Sequence, residues 1–360
     1  MKVTLFRDIP QESWPSMERY SEALFRELRV QSAKCEVQSF SIVSPRGGLK
    51  ILPFRFLIYP LLAKFNQGEV NHVLDHSYGH LLYWLDRRRT VITCHDLIPL
   101  EYEKEPLALR MFRYSIGGLR KAARVLADSE ATKKDLIEKL GIDAKRIRVV
   151  YLGVEKKFKV IEDRSRLEEV RKKYGLPEAK LVLHVGNNLE YKNIGGLLKA
   201  FAQVLQELPE ARLVKVGSDF TDSQQAPIKK LGISKAVIKL GFVAEEDLPA
   251  VYNLVDVLVQ PSFKEGFGFP VVEAMACGTP VVCSNVSSLP EVGGDAAVYC
   301  APENPTDIAR AILEVLCSNV SKHGNAVGRG LKQAKKFTWR KCAQETVEVY
   351  REVQEEGRKQ

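Results

Sequence analysis

The sequence predicts an α/β protein built from two doubly wound parallel sheets that face a cleft. Three observations support this prediction. The chain has 360 residues, more than one ordinary core accommodates, which favours two domains of roughly 150–180 residues. Apolar strand-like runs alternate with helical patterns along nearly the whole chain, as expected for parallel sheets with helices on both faces. A polar stretch without clear periodicity, residues 151–166, separates two such series and reads as a linker.

Each series contains the elements of a Rossmann-like domain. The first, within residues 1–155, predicts strands at 3–6, 37–40, 72–74, 90–93, 124–127 and 147–150 and helices at 17–28, 107–122 and 131–140. The second, within residues 156–337, predicts strands at 181–185, 212–216, 237–240, 255–260 and 281–283 and helices at 194–205, 246–252, 271–276 and 308–317. Helical spacing of aromatic and apolar residues continues near the end of the chain, at 338–353.

Composition narrows the class of protein. Hydrophobic residues make up 45% and charged residues 28% of the chain, as in soluble globular proteins. No uninterrupted apolar run reaches the ~18 residues of a membrane span, the N-terminus has no signal-peptide pattern, and the seven cysteines occur singly. We therefore expect a cytoplasmic protein. The net charge of +9 is compatible with nucleic acid, an anionic membrane surface or phosphorylated small molecules as partners.

The densest pattern of functional residue types lies at residues 263–280, FKEGFGFPVVEAMACGTP. It predicts a glycine turn between a buried strand and a short helix, with Pro270 as the first helical residue and Gly278 just past the end. Glu265 lies on the turn, and Glu273 is expected in the first helical turn. Because the start of a helix favours anions, two carboxylates there are costly, and we expect both to bind something.

Ligands of doubly wound sheets bind beyond the carboxyl ends of the strands. The loop after the predicted strand 181–185 reads GNNLEYKN, in which Lys192 is expected to project into the cleft and Asn193 to cap the next helix. In the first series, His95 and Asp96 follow the strand 90–93. These loops are therefore candidate substrate-binding segments.

The stretch EGFGFPVVEAMACGTPVV, in which Glu273 is the eighth residue after Glu265, resembles the E-x(7)-E signature of retaining glycosyltransferases with the GT-B fold. The closest resemblance is to glycosyltransferase family 4 (group 1), and it extends to VGNNLEYKN, TCHDLIPLEYE and FTWRKCAQETVEVYREV, so it covers most of the chain. It implies a nucleotide-diphosphate sugar as co-substrate, no other cofactor, no metal, and retention of anomeric configuration. The chain has no D-x-D motif, which agrees with metal independence. The resemblance also implies that residues 1–155 bind the acceptor, that residues 156–337 bind the nucleotide sugar, and that a helix at 338–360 crosses back to the first domain.

For donor binding, the resemblance implies roles residue by residue. Glu273 would accept hydrogen bonds from the ribose hydroxyls. The turn that contains Gly266 would present the backbone N–H groups of Gly268 and Phe269 to the diphosphate, and Lys192 would neutralise the diphosphate charge.

For catalysis, the resemblance implies Lys192 at the leaving group, Glu265 holding the sugar hydroxyls, and His95 near the sugar and acceptor. Asn187, also expected at the diphosphate, stands where family members often carry an Arg, which puts a two-cation clamp in doubt. The glycine-rich loop that many members have after the first strand is replaced here by RDIPQESWPSMERY.

The predicted function is the retaining transfer of mannose or glucose from a GDP- or UDP-linked donor to a glycan, lipid-linked or small-molecule acceptor. The sequence leaves open the base and sugar of the donor, the acceptor and linkage, and the oligomeric state. One alternative is a nucleotide-sugar epimerase or hydrolase on the same fold. The other is a basic nucleic-acid-binding protein, for which the chain has no recognisable module; we expect no nucleic-acid partner.

One basic surface has two interpretations. On a helix over residues 107–125, five basic side chains would fall within an arc of about 100°. The surface is either a solvated face or a site of peripheral contact with anionic lipid at the inner face of the membrane. The side chains are Arg110, Arg113, Arg120, Lys121 and Arg124.

Overall fold

A computed structural model describes residues 1–12, 15–30, 35–44 and 51–358. The chain divides into two compact units, residues 1–153 together with 338–360, and residues 154–337. The boundaries predicted from the sequence are residues 155 and 337. Each unit contains a parallel six-stranded sheet in the described ranges, which confirms the predicted α/β class with two Rossmann-like sheets.

All six strands predicted for the first unit are present. They pair in the order β2-β1-β3-β4-β5-β6, and all pairings are parallel. Because the strand order reverses between β1 and β3, their carboxyl ends form a topological switch point, where ligands of such sheets bind. The strands are β1 (Lys2–Phe6), β2 (Glu36–Phe40), β3 (Val70–Val73), β4 (Thr90–Cys94), β5 (Arg124–Ala127) and β6 (Ile147–Val149).

The helices of the first unit follow the apolar pattern with one clear exception. The helix predicted at 107–122 ends at Gly117, and a short 3-10 turn, Gly118–Lys121, leads into β5. A Cβ on Gly118 would lie 1.9 Å from the carbonyl oxygen of Gly79, so this close approach of two backbones requires glycine. The helices are α1 (Pro15–Val30), α2 (Tyr59–Phe65), α3 (Pro99–Tyr102), α4 (Pro106–Gly117) and α5 (Glu130–Leu140).

The basic face predicted for a helix over 107–125 is therefore wrong as a single surface. Arg120 lies in the 3-10 turn and donates to the Leu140 carbonyl at 2.8 Å. Arg124 lies in β5 and forms ion pairs with carboxylates of the C-terminal helix. Arg110 and Arg113 remain on α4, and both are exposed.

The second unit contains the five predicted strands and a sixth. Its order is β12-β11-β10-β7-β8-β9, so the switch point lies between β7 and β10. The additional strand, β12, is an edge strand of only four residues, too short to give a clear alternating pattern. The strands are β7 (Leu181–Val185), β8 (Arg212–Val216), β9 (Val237–Gly241), β10 (Val257–Gln260), β11 (Val281–Ser284) and β12 (Ala297–Cys300).

Four helices of this unit were not predicted from the sequence. One of them, α11, has only five residues, and the other three lack a clear helical signal for physical reasons. The predicted linker 151–166 ends in helix α6, which begins after the N-cap Asp163 and buries only Val170. Helix α8 contains Pro227, and α13 contains three glycines, which are poor helix formers. The helices are α6 (Arg164–Lys173), α7 (Ile194–Glu207), α8 (Asp222–Lys230), α9 (Leu248–Leu254), α10 (Phe269–Ala276), α11 (Leu289–Gly293), α12 (Pro305–Leu316) and α13 (Val320–Ala334).

The last helix, α14 (Trp339–Arg358), belongs to the first unit. Its Tyr350 hydroxyl lies 2.6 Å from Nδ1 of His72 on β3. The other ring nitrogen of His72 lies 2.8 Å from the Thr93 hydroxyl on β4, which also bonds Tyr20 on α1. A buried hydrogen-bond network thus ties α14 to the sheet and to α1.

Replacing Gly118 by Ala is expected to destabilise the first unit by about 3 kcal/mol, because the new methyl group overlaps the Gly79 carbonyl and the backbones must separate. Urea unfolding followed by tyrosine and tryptophan fluorescence measures the loss. Gly357→Ala on α14 is the matched control, since a Cβ there has no atom within 4 Å. Equal stability of the two variants would contradict the proposed close packing.

Candidate functional site

The candidate site lies at the switch point of the second unit, where the loops after β7 and β10 meet. The Phe263 N–H donates to the Tyr191 carbonyl at 2.8 Å, and Asn193 Nδ2 donates to the Pro261 carbonyl at 3.0 Å. Asn193 also caps α7, as predicted, by accepting from the Gly196 N–H. Side-chain and backbone bonds therefore hold the two loops together.

Lys192 and Glu265, one from each loop, form a buried ion pair. The ammonium donates to both carboxylate oxygens, at 2.7 and 2.8 Å, and the side chains are 12% and 8% exposed. Gln260 Nε2 and the Ser262 hydroxyl also donate to Oε1 of Glu265, at 2.9 and 2.8 Å. A buried ion pair is tolerated when further hydrogen bonds satisfy it, and this carboxylate has them.

Sequence reasoning missed Gln260 and Ser262. The signal was visible, since both are polar residues at the carboxyl end of an apolar strand run, VDVLVQPS. Their function as donors to Glu265 depends on how the loop folds back over the strand, which the run itself does not specify.

Two serines after β11 hold the backbone of the Glu265 turn. The Glu265 N–H donates to the Ser287 hydroxyl at 3.1 Å, and that hydroxyl donates back to the Glu265 carbonyl at 2.7 Å. Ser288 donates to the carbonyls of Glu265 and Phe267. Ser287 has a φ of 59°, a left-handed conformation that costs a non-glycine residue about 1 kcal/mol. The turn is therefore fixed at the expense of local strain.

The glycine turn leads directly into α10, as the sequence predicted. Gly268 has a φ of 107° and occupies the N-cap, and a Cβ there would lie 2.7 Å from Cδ2 of Leu289. Both its conformation and its surroundings therefore require glycine. Gly266 lies in the same turn, and Phe269 is the first residue of α10. The positive end of the helix dipole of α10 therefore lies at this turn.

Glu273 does not lie in the first helical turn, contrary to the prediction. The helix begins at Phe269, one residue before Pro270, which makes Glu273 its fifth residue. Its side chain is buried, and Oε2 accepts a hydrogen bond from the Tyr252 hydroxyl on α9 at 2.8 Å. Binding of ribose by Glu273 stays a prediction.

Asn187 is half-buried in the loop after β7. Its side-chain oxygen accepts from the Leu189 N–H at 3.2 Å, which shapes the loop.

A second cation, Lys215 on β8, lies near the same loop and was missed from the sequence. Its ammonium is buried and donates to three backbone carbonyls, those of Gly186 (2.6 Å), Val216 (3.0 Å) and Ser218 (3.3 Å). Burial, and then the charge of Lys192, lowers its pKa to about 8. A lysine inside an apolar strand, RLVKV, was the available signal. Lys215 therefore joins the ends of β7 and β8.

His95 lies in the first unit, at the end of β4, and both of its ring nitrogens have partners. Nε2 donates to the Leu74 carbonyl at 3.0 Å, and Nδ1 lies 2.6 Å from Oδ2 of Asp128. Burial alone would lower the pKa of His95, but the Asp128 carboxylate outweighs it and raises that pKa to about 9. Near neutral pH the ring is therefore an imidazolium paired with Asp128, a partner that the sequence did not reveal.

The structure thus brings some predicted residues together. Lys192 contacts Glu265, and Gly266, Gly268 and Phe269 form the turn that begins α10. In the described part of the chain, no group of three or more His, Cys, Asp or Glu side chains is arranged to hold a metal ion. Among the described helices, none has the length and apolarity that a membrane crossing requires.

Two Rossmann-like units are the architecture of the GT-B fold, and comparison with known proteins identifies a glycosyltransferase of this fold. The family described as Glycosyl transferases group 1 matches residues 167–332, and Glycosyltransferase Family 4 matches residues 10–158. The chain belongs to this glycosyltransferase family.

Its relatives include mannosyltransferases. O-antigen chain mannosyltransferase B of Escherichia coli is 34% identical over 313 residues, 84% of this chain and 81% of that protein. Serotype-specific mannosyltransferase WbdA of Escherichia coli is 30% identical over 272 residues, 73% of this chain but only 33% of WbdA. The solved structure of sucrose-phosphate synthase from Thermosynechococcus elongatus matches with a TM-score of 0.79 over 98% of this chain and 99% of that one. At 20% identity, this last likeness concerns the fold.

The His95–Asp128 pair predicts a specific pH dependence. Because the folded-state pKa of His95 lies above its ordinary value of 6.5, its protonation contributes stability that is fully present below about pH 6.5, as long as Asp128 is ionised, and that is lost as the pH rises through about 9. Burial raises the pKa of Asp128, so the pair is also lost in acid. Asp128→Asn is expected to bring the pKa of His95 below 6.5, because burial then dominates.

Ring ¹⁵N NMR across pH 5–10 measures this change directly. In the wild type, both nitrogens of His95 should carry protons at pH 7.5, and in the variant only one should. An unchanged ring spectrum in the variant would contradict the ion pair. The free energy of unfolding should depend less on pH between 6.5 and 9 in the variant than in the wild type.

Proposed function

We propose that this glycosyltransferase transfers a mannosyl or glucosyl group from a GDP- or UDP-linked sugar to a glycan or lipid-linked acceptor. The transfer retains the anomeric configuration and uses no metal. The observation that carries the proposal is the Lys192–Glu265 pair at the switch point, beside the start of α10. The names of the relatives favour mannose.

The diphosphate of the donor binds at the start of α10. There the helix dipole and the backbone N–H groups of the turn at Gly268 and Phe269 favour a negative charge. Lys192 supplies the cation, with Asn187 from the same loop. Glu273, oriented by Tyr252, accepts hydrogen bonds from the ribose.

The ion pair has to open for the donor to bind. In the ligand-free site Glu265 neutralises Lys192, so the diphosphate competes with the carboxylate for the ammonium. Glu265, once released, accepts hydrogen bonds from the sugar hydroxyls. Binding thus converts an internal pair into contacts with both ends of the sugar–diphosphate linkage.

In the transfer step, the bond between C1 of the sugar and the diphosphate oxygen breaks, and a bond between C1 and the acceptor oxygen forms. The acceptor's hydroxyl proton passes to the departing diphosphate. Lys192 and the turn N–H groups stabilise the leaving charge, and each such donor contributes about 3–4 kcal/mol. His95, which the resemblance places near the sugar and acceptor, has both ring nitrogens bonded within the first unit and is therefore not available as a base.

Lys192→Met and Glu265→Gln are each expected to lower kcat by at least about 100-fold, because the leaving group or the sugar loses its contact. Incubation with ¹³C-labelled GDP-mannose and UDP-glucose, followed by NMR, measures donor hydrolysis or transfer and the configuration of the product. EDTA should leave the rate unchanged.

Lys199→Met is the control, since Lys199 is exposed on α7 of the same unit and should retain wild-type activity. If the wild-type protein neither binds nor turns over any nucleotide sugar in such a panel, the proposed function is wrong.

We further propose that the first unit contacts anionic membrane at α4. Arg110 and Arg113 are exposed there beside two exposed apolar side chains, Leu107 and Tyr114. Exposed basic and apolar groups on one helix are suited to an anionic lipid surface. Such contact would bring the protein to a lipid-linked acceptor.

Charge reversal of Arg110 and Arg113 to Glu should reduce sedimentation with phosphatidylglycerol-containing liposomes at low salt several-fold, because basic residues near such a surface contribute about 1 kcal/mol each. Reversal of Arg87 and Arg88, which are exposed elsewhere in the same unit, changes the net charge equally and should have a smaller effect. Equal wild-type sedimentation with anionic and neutral liposomes would exclude the contact.

A further inference from the structure

A buried acceptor atom without a donor lies beside the candidate site. Nε2 of His184, on β7, has no hydrogen-bond partner among the described residues, and the side chain is fully buried. Leaving a buried acceptor unpaired costs about 1–3 kcal/mol. A hydrogen-bond donor that reaches Nε2 in the ligand-bound protein would explain why an unpaired acceptor is present at this position.

The chemistry of this atom is fixed by the other side of the ring. Nδ1 of His184 lies 3.0 Å from the Val259 carbonyl on β10, and because a carbonyl only accepts, Nδ1 carries the proton. Burial, then the charges of Lys215 and Lys192, lower the pKa of His184 to about 3, so the ring stays neutral. Nε2 is thus a lone-pair acceptor that requires an N–H or O–H donor.

The side chain of Lys192 passes close to this acceptor. The position that a Cβ on Gly186 would occupy lies 3.8 Å from Cε of Lys192 and 3.9 Å from Nε2 of His184. Since residue 186 is a glycine, it places no side chain of its own between the two. Lys215, the other nearby cation, donates to three carbonyls already, which leaves Lys192 as the cation that can exchange partners.

We propose that Nε2 of His184 is a second binding position for the Lys192 ammonium. When the hydroxyls of a donor sugar occupy Glu265, Lys192 turns from the carboxylate to His184 and directs its remaining N–H groups to the diphosphate. His184 is therefore a positioning residue that acts through Lys192. This exchange rests on the donor binding proposed above, and no covalent bond forms or breaks in it.

The surroundings of Glu265 permit the exchange. After Lys192 leaves, the carboxylate keeps its hydrogen bonds from Gln260 and Ser262, so it is not left without donors while the sugar arrives. At the same time, the lone pair of His184 gains a charged donor, and hydrogen bonds to charged groups are stronger than neutral ones. The cost of opening the ion pair is thus partly offset within the site.

Two substitutions distinguish the role of Nε2 as an acceptor from the role of Nδ1 in the hydrogen bond to Val259. His184→Asn keeps an N–H near the position of Nδ1, able to donate to Val259, and removes Nε2. His184→Gln places an amide oxygen near the position of Nε2 and removes the contact with Val259. If the role of His184 is purely structural, the less stable variant should also bind the sugar nucleotide more weakly. If the exchange occurs, the more stable variant, His184→Asn, should be the weaker binder.

The test compares binding of GDP-mannose with GDP, and of UDP-glucose with UDP, by calorimetry on the full chain, alongside thermal unfolding. For H184N we expect sugar-nucleotide affinity to fall about ten-fold, a loss of about 1.4 kcal/mol, with nucleoside diphosphate affinity changed less than two-fold and near wild-type thermal stability. For H184Q we expect lower thermal stability and sugar-nucleotide affinity within about three-fold of the wild type.

The outcomes distinguish the two proposals. If the wild type binds a sugar nucleotide and H184N binds it equally well, the exchange is wrong and the proposed function stands. If H184N weakens sugar nucleotide and nucleoside diphosphate equally, His184 has a general structural effect, and the exchange is also wrong. A wild-type protein that binds neither donor contradicts the proposed function, and the exchange with it.

Discussion

The buried ion pair between Lys192 and Glu265 is the interaction on which the rest of the candidate site depends. Moving two charges out of water is costly unless their hydrogen bonds are complete. The second unit meets this requirement with residues from the ends of two neighbouring strands. Gln260 is the last residue of β10, Ser262 lies in the following loop, and Lys192 lies in the loop after β7. The pair therefore forms only when both loops have their folded conformation, which links the chemistry of the site to the topology of the sheet.

That topology also explains where strain is tolerated. The glycine turn has to project Glu265 back over its own strand and then begin α10 within three residues, which leaves Gly268 at positive φ. Ser287, at positive φ as well, fixes the carbonyl and the N–H of Glu265 from the neighbouring strand. Glycine adopts such a conformation freely, whereas at Ser287 the strain persists because the surrounding structure determines the conformation. The strained residue is thus the one that holds the backbone of Glu265.

The sequence was sufficient for the strands and for the positions of Lys192 and Glu265 in strand-end loops, but not for the contacts that these residues make. Buried parallel strands are continuous apolar runs, which is why the runs ending at Val185 and Gln260 could be identified, while the short edge strand β12 and the polar helix α6 could not. Glu265 and Lys192 were predicted because functional residues follow strand ends. Their contact spans 73 positions of sequence and depends on which strands are neighbours. The tautomer of His184 and the partner of His95 depend on carbonyl and carboxylate groups from other strands, which no local pattern specifies.

Because Lys192 and Glu265 neutralise each other, a ligand that separates them has to replace the lost partner of each: an anion for Lys192 and a hydrogen-bond donor for Glu265. Inorganic phosphate can attract Lys192, but its negative charge repels the carboxylate of Glu265, so the carboxylate would lose its strongest partner without a favourable replacement. A sugar hydroxyl without a phosphate would leave Lys192 in place and find the oxygens of Glu265 already occupied. Under the proposed function, a molecule with an anion and hydroxyls at the correct separation satisfies both residues at once. Because specificity is a difference between affinities, the closed pair disfavours the many simple anions that a chain with a net charge of +9 attracts, and it does so without a separate excluding group.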